Sequence, residues 1–274
     1  MKQQSGLHET VEQHVKDIRR VVRTIGELQH DEKYTYAWAL AGSSRSAPDV
    51  LLSPDLLPRV SPDGAVLLWA GTSEAPVGDL LQACERILSS DEIIRARSFR
   101  QEEDARSFVT AHAVLRLQLA AHHQCSPSEL LFATGPNGKP HLIGIAGRKA
   151  RSWLHFNLSH TRGRALIGLS TAPIGVDIEQ IEEFPDMLET ADLAFTPESR
   201  AILAACTGDV RTRLFYRFWT LGEAFIKATG LGISQGLDTF AFTPSVPPRL
   251  TRITPGYGQV SDWYFGLFGY AASG

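Results

Sequence analysis

The sequence predicts an α+β fold built as two similar halves, on three observations. Two long segments, 102–122 and 211–228, carry apolar residues at helical spacing. Phe108-Val109-Thr110-Ala111 in the first stands in a place similar to Phe218-Trp219-Thr220-Leu221 in the second. Each long helix is followed by short apolar runs that read as strands. Two halves arranged this way place a site in the cleft between them, where binding sites commonly form.

Composition bounds the rest. A chain of 274 residues with 43% hydrophobic content can bury a large core, as one sizeable domain or two small ones. A net charge of -3 gives no reason to expect nucleic-acid binding, so any basic site is local. Cys84, Cys125 and Cys206 are scattered without a C-x-x-C pair, which suits a reducing compartment and argues against thiolate zinc. No apolar run reaches the roughly 18 residues of a membrane span, and the N-terminus lacks the apolar core of a signal peptide. A cytoplasmic protein without membrane attachment is expected.

The elements follow in order. From Thr10, Thr-x-x-Gln13 is a capping-box signature, and Val11, Val15, Ile18, Val22 and Ile25 recur at helical spacing. This amphipathic helix either packs on the body or meets a partner. From Ala41 to Ala65, Gly, Ser, Pro and Asp recur without a helical period, which marks a connector, and the compact body is expected to begin after it. The division is then 1–64 for helix and connector, 65–170 for the first half and 171–274 for the second.

Ala65 to Ala70 reads as a buried strand, and a helical region follows Pro76 from Asp79 to about Leu88. A charged stretch, 91–100, precedes the first long helix. Arg95, Arg97, Arg100 and Arg106 form a basic cluster there, ordinarily solvated surface, with phosphate binding as the alternative. Leu130 to Phe132 reads as a strand. In the turn Gly135-Pro136-Asn137-Gly138-Lys139-Pro140, Asn-Gly supplies positive φ, and a Gly-Lys turn can also bring an ammonium and backbone N–H groups to a phosphate. His155 to His160 reads as a strand with a polar end, and Ala165–Ser170 and Ile174–Ile178 are strands joined by Thr171-Ala172-Pro173. Thr196 with Pro197 opens a helix to about Ala205, Gly230-Leu231-Gly232 stops the second long helix, and Leu237–Phe242 and Trp263–Tyr270 are strands.

Chemistry concentrates in two places. On a strand, Asp177 and Glu179 leave the same side. On the second long helix, Glu223 and Lys227 share one face. Such a Glu–Lys pair is ordinarily solvated, but this one lies on a densely apolar helix between Trp219 and Phe225, where charge needs a reason. Three carboxylates can converge.

These residues resemble the single-chain 4′-phosphopantetheinyl transferases of the larger, Sfp type. The resemblance covers roughly residues 65–270 and rests most on Gly-x-Asp-x-Glu at Gly175 to Glu179 and Trp-x-x-x-Glu-Ala-x-x-Lys at Trp219 to Lys227. Gly138-Lys139-Pro140, Phe156-Asn157-Leu158-Ser159-His160 and the stretch Arg95 to Arg116 support it. One departure stands out. Such family members usually carry Lys directly before the metal-binding Glu, where this chain has Gly222; the missing ammonium weakens coenzyme or carrier binding, or Gly222 opens room in the cleft.

The resemblance implies two subdomains related by a pseudo-two-fold axis, each a long helix on a small, mostly antiparallel sheet. It implies transfer of the 4′-phosphopantetheine arm of coenzyme A to a serine of an apo carrier protein (acyl, peptidyl or aryl), releasing adenosine 3′,5′-bisphosphate. By it, Asp177, Glu179 and Glu223 are ligands of Mg²⁺, with Mn²⁺ as the alternative ion. Coenzyme A falls to Arg95, Gly138, Lys139, Ser159, His160, Asp177, Glu223 and Lys227, with Glu223, Lys227 and His160 as the catalytic set. Lys139 and Arg95 grip the nucleotide end, and the serine proton goes to a metal-bound water or to Glu223. Arg211, Arg213 and Arg217 are candidates to meet an acidic carrier helix. A monomer suffices. The rival readings are a Mg²⁺-dependent pyrophosphate hydrolase and a catalytically weakened or non-catalytic carrier-binding relative.

Overall fold

The computed structural model describes residues 34–41, 50–53, 65–71, 77–149, 154–243, 245 and 247–268. The helix expected from Thr10 lies outside them. In chain order the elements are β1 (Tyr34–Ala41), β2 (Val50–Ser53), β3 (Ala65–Gly71), α1 (Val77–Cys84), α2 (Ser90–Ser98), α3 (Glu102–His123), β4 (Leu130–Thr134), β5 (Pro140–Ile145), β6 (Arg148–Lys149), β7 (His155–Thr161), β8 (Arg164–Ser170), β9 (Ile174–Gln180), α4 (Met187–Ala194), α5 (Pro197–Ala204), α6 (Gly208–Thr229), β10 (Phe240–Phe242), β11 (Leu250–Ile253) and β12 (Trp263–Phe268). Helices mix with small sheets whose pairings are antiparallel except β2 with β3, the α+β class that the sequence predicts.

Helix α3 is the axis of the first core. Its opening turn, Glu102-Glu103-Asp104, places negative charge at the positive end of the helix dipole. The rest sinks among α1, β3, β7 and β8, with Phe108, Val114, Leu117 and Leu119 fully or almost fully buried. Gln124, in the left-handed region at φ 52°, ends the helix. The sheet beneath runs in the order β2-β3-β8-β7.

Helix α6 is the axis of the second core and packs on β1 and β9. Phe225 anchors it, with the rings of Trp263, Phe240 and Phe265 at 4.8, 4.9 and 5.8 Å, in the edge-on or tilted arrangements that aromatic pairs prefer. The sheet order is β12-β1-β9. Along β1, Ala37 and Ala39 face the α6 core, while Trp38 and Leu40 join Leu166, Ile174, Val176 and Ile178 on the other side. Both faces of this strand are buried.

Strand β1 is the main surprise. The sequence reading starts the body at Ala65, yet Tyr34–Ala41 is the central strand of the α6 sheet, and β2 lies inside the expected connector. Helix α2 occupies most of the charged stretch. Ser89 caps it, accepting from the Glu92 N–H at 3.3 Å, while the Glu92 carboxylate accepts from the Ser89 N–H at 2.7 Å. Strand β11 and helix α4 are likewise additions.

Candidate functional site

Strand periodicity builds the site. On β9, Ile174, Val176 and Ile178 point into one apolar cluster, so Gly175, Asp177 and Glu179 point the other way, toward α6. Gly175 lets the helix come close: a Cβ there would lie only 1.9 Å from Ala224 O and 2.3 Å from Ala228 N. The side chains two residues further along β9 therefore lie beneath α6. Asn157 on β7 fixes the strand from the other side, its Oδ1 accepting the Val176 N–H at 2.8 Å.

Three elements meet at one carboxylate. Lys227 Nζ donates to Asp177 Oδ1 at 2.6 Å and to Ser159 Oγ at 3.0 Å, and the Ser159 hydroxyl donates to the same Asp177 Oδ1 at 2.8 Å. The Asp177 side chain keeps 3% of its surface exposed and that of Lys227 keeps 28%, so the carboxylate is the more enclosed of the two side chains. Asp177 Oδ2 is buried without a hydrogen-bond partner, an acceptor that costs free energy unless something meets it.

The surrounding charges agree. Burial raises Glu179 to about 7, helped by Asp177 and Glu223 and opposed by Lys227 and a hydrogen bond from Trp219. Burial raises Glu223 as well, against the pull of Lys227, with Asp177 adding to the rise. Lys227 would be lowered by burial, but Asp177, Glu223 and Glu179 outweigh that and hold it above the usual lysine range. Asp177, Glu179, Glu223 and Lys227 thus sense one another as a single group of charges.

His160 follows Ser159 on β7. Its ring is partly open to solvent, yet desolvation and the neighbouring His112, Lys227 and Arg95 push its pKa down. Arg95 lies with its guanidinium 5.3 Å from the Phe108 ring centre.

Two of the expected nucleotide ligands have partners within the protein. The Gly138 N–H donates to Gly135 O at 3.0 Å inside the turn. Lys139 Nζ donates to three backbone carbonyls, those of Lys227, Ala228 and Ile174. Of the candidate carrier contacts, Arg211 Nε donates to Cys206 O at 2.6 Å and Arg213 Nε to Asp209 Oδ2 at 2.7 Å. Gly222 faces inward, where a Cβ would lie 2.4 Å from Leu237 Cδ2 and 3.4 Å from Phe240 Cε2. It is a packing position, and no room opens toward the carboxylates.

A further charged group joins α2 to α3. Glu92 accepts from Arg116 Nε at 2.7 Å and from the His112 Nδ1–H at 3.1 Å, while Arg116 Nη1 caps Pro127 O and Leu130 O. Its signal was legible as His112 and Arg116 one turn apart on α3.

A hard divalent cation fits the chemistry of these donors. Among the described residues no three His, Cys, Asp or Glu side chains are assembled into a metal cluster, and Lys227 takes one oxygen of Asp177. The unmet Asp177 Oδ2 and two further carboxyls raised by burial are nevertheless the oxygen chemistry that Mg²⁺ takes, which binds through a few carboxylates with substrate phosphates and water.

An α+β chain with carboxylates and an ammonium converging on one buried point is equipped to handle phosphate groups. Comparison with known proteins makes the class specific. A family model described as the 4′-phosphopantetheinyl transferase superfamily matches residues 173–273. A putative 4′-phosphopantetheinyl transferase of Synechocystis sp. is 39% identical over 198 residues, 72% of this chain and 76% of the relative. The 4′-phosphopantetheinyl transferase HetI of Nostoc sp. is 34% identical over 187 residues, 68% and 77% of the two chains. Sfp of Bacillus subtilis, named likewise, is 30% identical over 154 residues, 56% of this chain and 65% of its own. The chain belongs to the 4′-phosphopantetheinyl transferase superfamily and is an enzyme of the transferase class. No helix among its described residues is long and apolar enough to cross a membrane.

Proposed function

We propose that this protein transfers the 4′-phosphopantetheine arm of coenzyme A to a serine hydroxyl of an apo carrier protein of the acyl, peptidyl or aryl kind, releasing adenosine 3′,5′-bisphosphate. The observation that carries the reading is the Lys227–Asp177–Ser159 triangle with Glu179 and Glu223 around it. The site lies in a cleft between two subdomains related by a pseudo-two-fold axis. These divide at about residues 170–171, with 1–64 as an N-terminal extension from which β1 joins the second subdomain. The protein works in the cytoplasm as a monomer.

In this reading Asp177, Glu179 and Glu223 hold Mg²⁺ or Mn²⁺. The cation supplies charge neutralisation at the pyrophosphate oxygens as the bridge breaks. Lys227, charged and partly open to solvent, stabilises the same developing charge from the helix side. His160 donates to a phosphate oxygen from the rim, and Arg95 attracts the nucleotide's phosphates. Ser159 acts through Asp177, fixing the carboxylate that Lys227 meets. The attacking serine must give up its proton to an acceptor within hydrogen-bond reach, for which a water at the metal site and Glu223 are the two candidates. Carrier proteins approach Arg211, Arg213 and Arg217 near the start of α6, an encounter sensitive to salt.

The test is intact-mass spectrometry of several apo carrier proteins incubated with the protein, coenzyme A and Mg²⁺. The expected result is a gain of one phosphopantetheine arm on the carrier serine, abolished by chelation and by Glu223→Ala. Consumption of coenzyme A with no mass gain on any carrier would replace the transfer reading by hydrolysis.

A further inference from the structure

The Gly-Lys turn belongs to the first half of the chain, yet its side chains end on the second. Lys139 Nζ donates to Lys227 O at 2.5 Å and to Ala228 O and Ile174 O at 3.3 Å each, and Asn137 Nδ2 donates to Gly230 O at 3.1 Å. Two of these carbonyls, those of Lys227 and Ala228, belong to the last turn of α6, which has no intrahelical donors left for them, and a third to its cap residue, Gly230. The fourth belongs to the first residue of β9. A cation at this end of a helix also offsets the negative pole of its dipole.

The fit is close on both sides. The turn is braced by Gly135 N–H to Lys139 O at 2.9 Å and by Gly138 at φ 84°. Opposite it, a Cβ on Gly232 would lie 3.0 Å from Asn137 Cβ, and one on Gly230 would lie 3.5 Å from Lys139 Cδ. The loop after α6 is shaped to receive the turn. Burial pushes the Lys139 ammonium down to about 8, which accords with an ammonium withdrawn from solvent onto carbonyl dipoles.

We propose that Lys139 is a positioning residue whose ammonium fastens the end of α6 to the start of β9, and so sets where Lys227 stands relative to Asp177 and Ser159. Lys227 is both the carbonyl that Lys139 grips and the side chain that reaches Asp177. Asp177 lies three residues beyond Ile174 on the strand gripped at the same point. One side chain thereby ties together the two elements that supply the site's charges. The inference rests on the transferase reading for its kinetic consequence, but not for its structural one.

The experiment uses the full chain, comparing wild type with Lys139→Met and Lys139→Arg by two measurements. Hydrogen exchange should be at least ten-fold faster over residues 224–232 in Lys139→Met, because the capping bonds of the last turn are gone. In transfer assays with coenzyme A and with 3′-dephospho-coenzyme A, kcat should fall by roughly 10- to 100-fold for both donors, the scale of a misplaced catalytic group. KM should move by less than about three-fold. The preference for coenzyme A over its dephospho form should be unchanged, and Lys139→Arg should recover most of kcat. A raised KM with loss of that preference would make Lys139 a phosphate ligand and overturn the inference. A lower Tm with unchanged kcat would reduce it to a structural role, and unchanged exchange over 224–232 would remove the clamp. If Lys139→Met does not fold, Asn137→Ala removes only one of the bonds and should show the same pattern at smaller amplitude. If wild type modifies no carrier, the transferase reading fails while exchange over 224–232 still decides the clamp.

Discussion

Substituting Gly175 by Ala adds one methyl group at the tightest contact between β9 and α6. The added Cβ would lie 1.9 Å from Ala224 O, 2.3 Å from Ala228 N and 2.9 Å from Lys227 C. All three are backbone atoms of a regular helix, so no side chain can rotate away. Ordinary contact begins near 3.4 Å, so strand and helix must separate by roughly 1.5 Å. Overpacking costs about 1–3 kcal/mol, and displacement of a whole helix belongs at the upper end of that range. The separation also pulls Lys227 from Asp177 Oδ1, a bond of 2.6 Å, and misplacement of about 1 Å can cost about 100-fold in rate. Gly168→Ala is the comparison, because its Cβ would meet side-chain rather than backbone atoms, Val176 Cγ1 at 2.7 Å and Ile174 Cδ1 and Cγ1 at 2.9 and 3.3 Å. Urea unfolding gives the stability and carrier mass gain gives the rate. Gly175→Ala should lose about 3 kcal/mol and about 100-fold in transfer, and Gly168→Ala distinctly less of both. A Gly175→Ala protein within 0.5 kcal/mol and two-fold of wild type would refute the argument that this close approach builds the site.

Other perturbations separate the remaining parts. Gly222→Lys restores the residue usual in the family, but its stem must displace Leu237 and Phe240. It should cost about 1–3 kcal/mol and leave the transfer rate no higher; a faster enzyme of unchanged Tm would mean that the position faces substrate. Burial would raise Glu92, but the His112 hydrogen bond, the Arg116 guanidinium and the Ser89 N–H hold its carboxyl at about 2. With its folded pKa below the unfolded one, the stability it contributes is complete above about pH 4.5 and is lost as pH falls toward 2. That shift corresponds to about 3 kcal/mol, so Glu92→Gln should lower neutral-pH stability by a similar amount and flatten the acid limb of a urea-unfolding series. A variant with an unchanged acid limb would show that the group does not couple to folding.

The parts of the site that were legible are those fixed by local geometry. Asp177 and Glu179 sit two apart on a strand and Glu223 and Lys227 one turn apart on a helix, so their shared faces follow from period alone. Long-range placement was not legible. Strand β1 is buried on both faces, with Ala37 and Ala39 on one side and Trp38 and Leu40 on the other, so it lacks the alternation that marks a half-exposed strand. Its partners β9 and β12 are remote in sequence. Lys139 reads as a phosphate ligand because a Gly-Lys turn offers free donors; that its ammonium ends on carbonyls of α6 depends on how the halves dock. Gly222 reads as a lost ammonium until the face of α6 it occupies is known, and that face is set by Leu237 and Phe240. Helix α2 is hidden by its charge, although Ser89 and Glu92 carry its capping signature.

The most direct test of the central claim is a Mg²⁺ titration of transfer rate for wild type, Glu179→Gln and Glu223→Gln at saturating coenzyme A and carrier. If Asp177, Glu179 and Glu223 share one cation, each variant needs at least about ten-fold more Mg²⁺ for half-maximal rate, since a ligand charge is missing from the site. A Mg²⁺ requirement equal to that of wild type in both variants would contradict it and place the cation elsewhere.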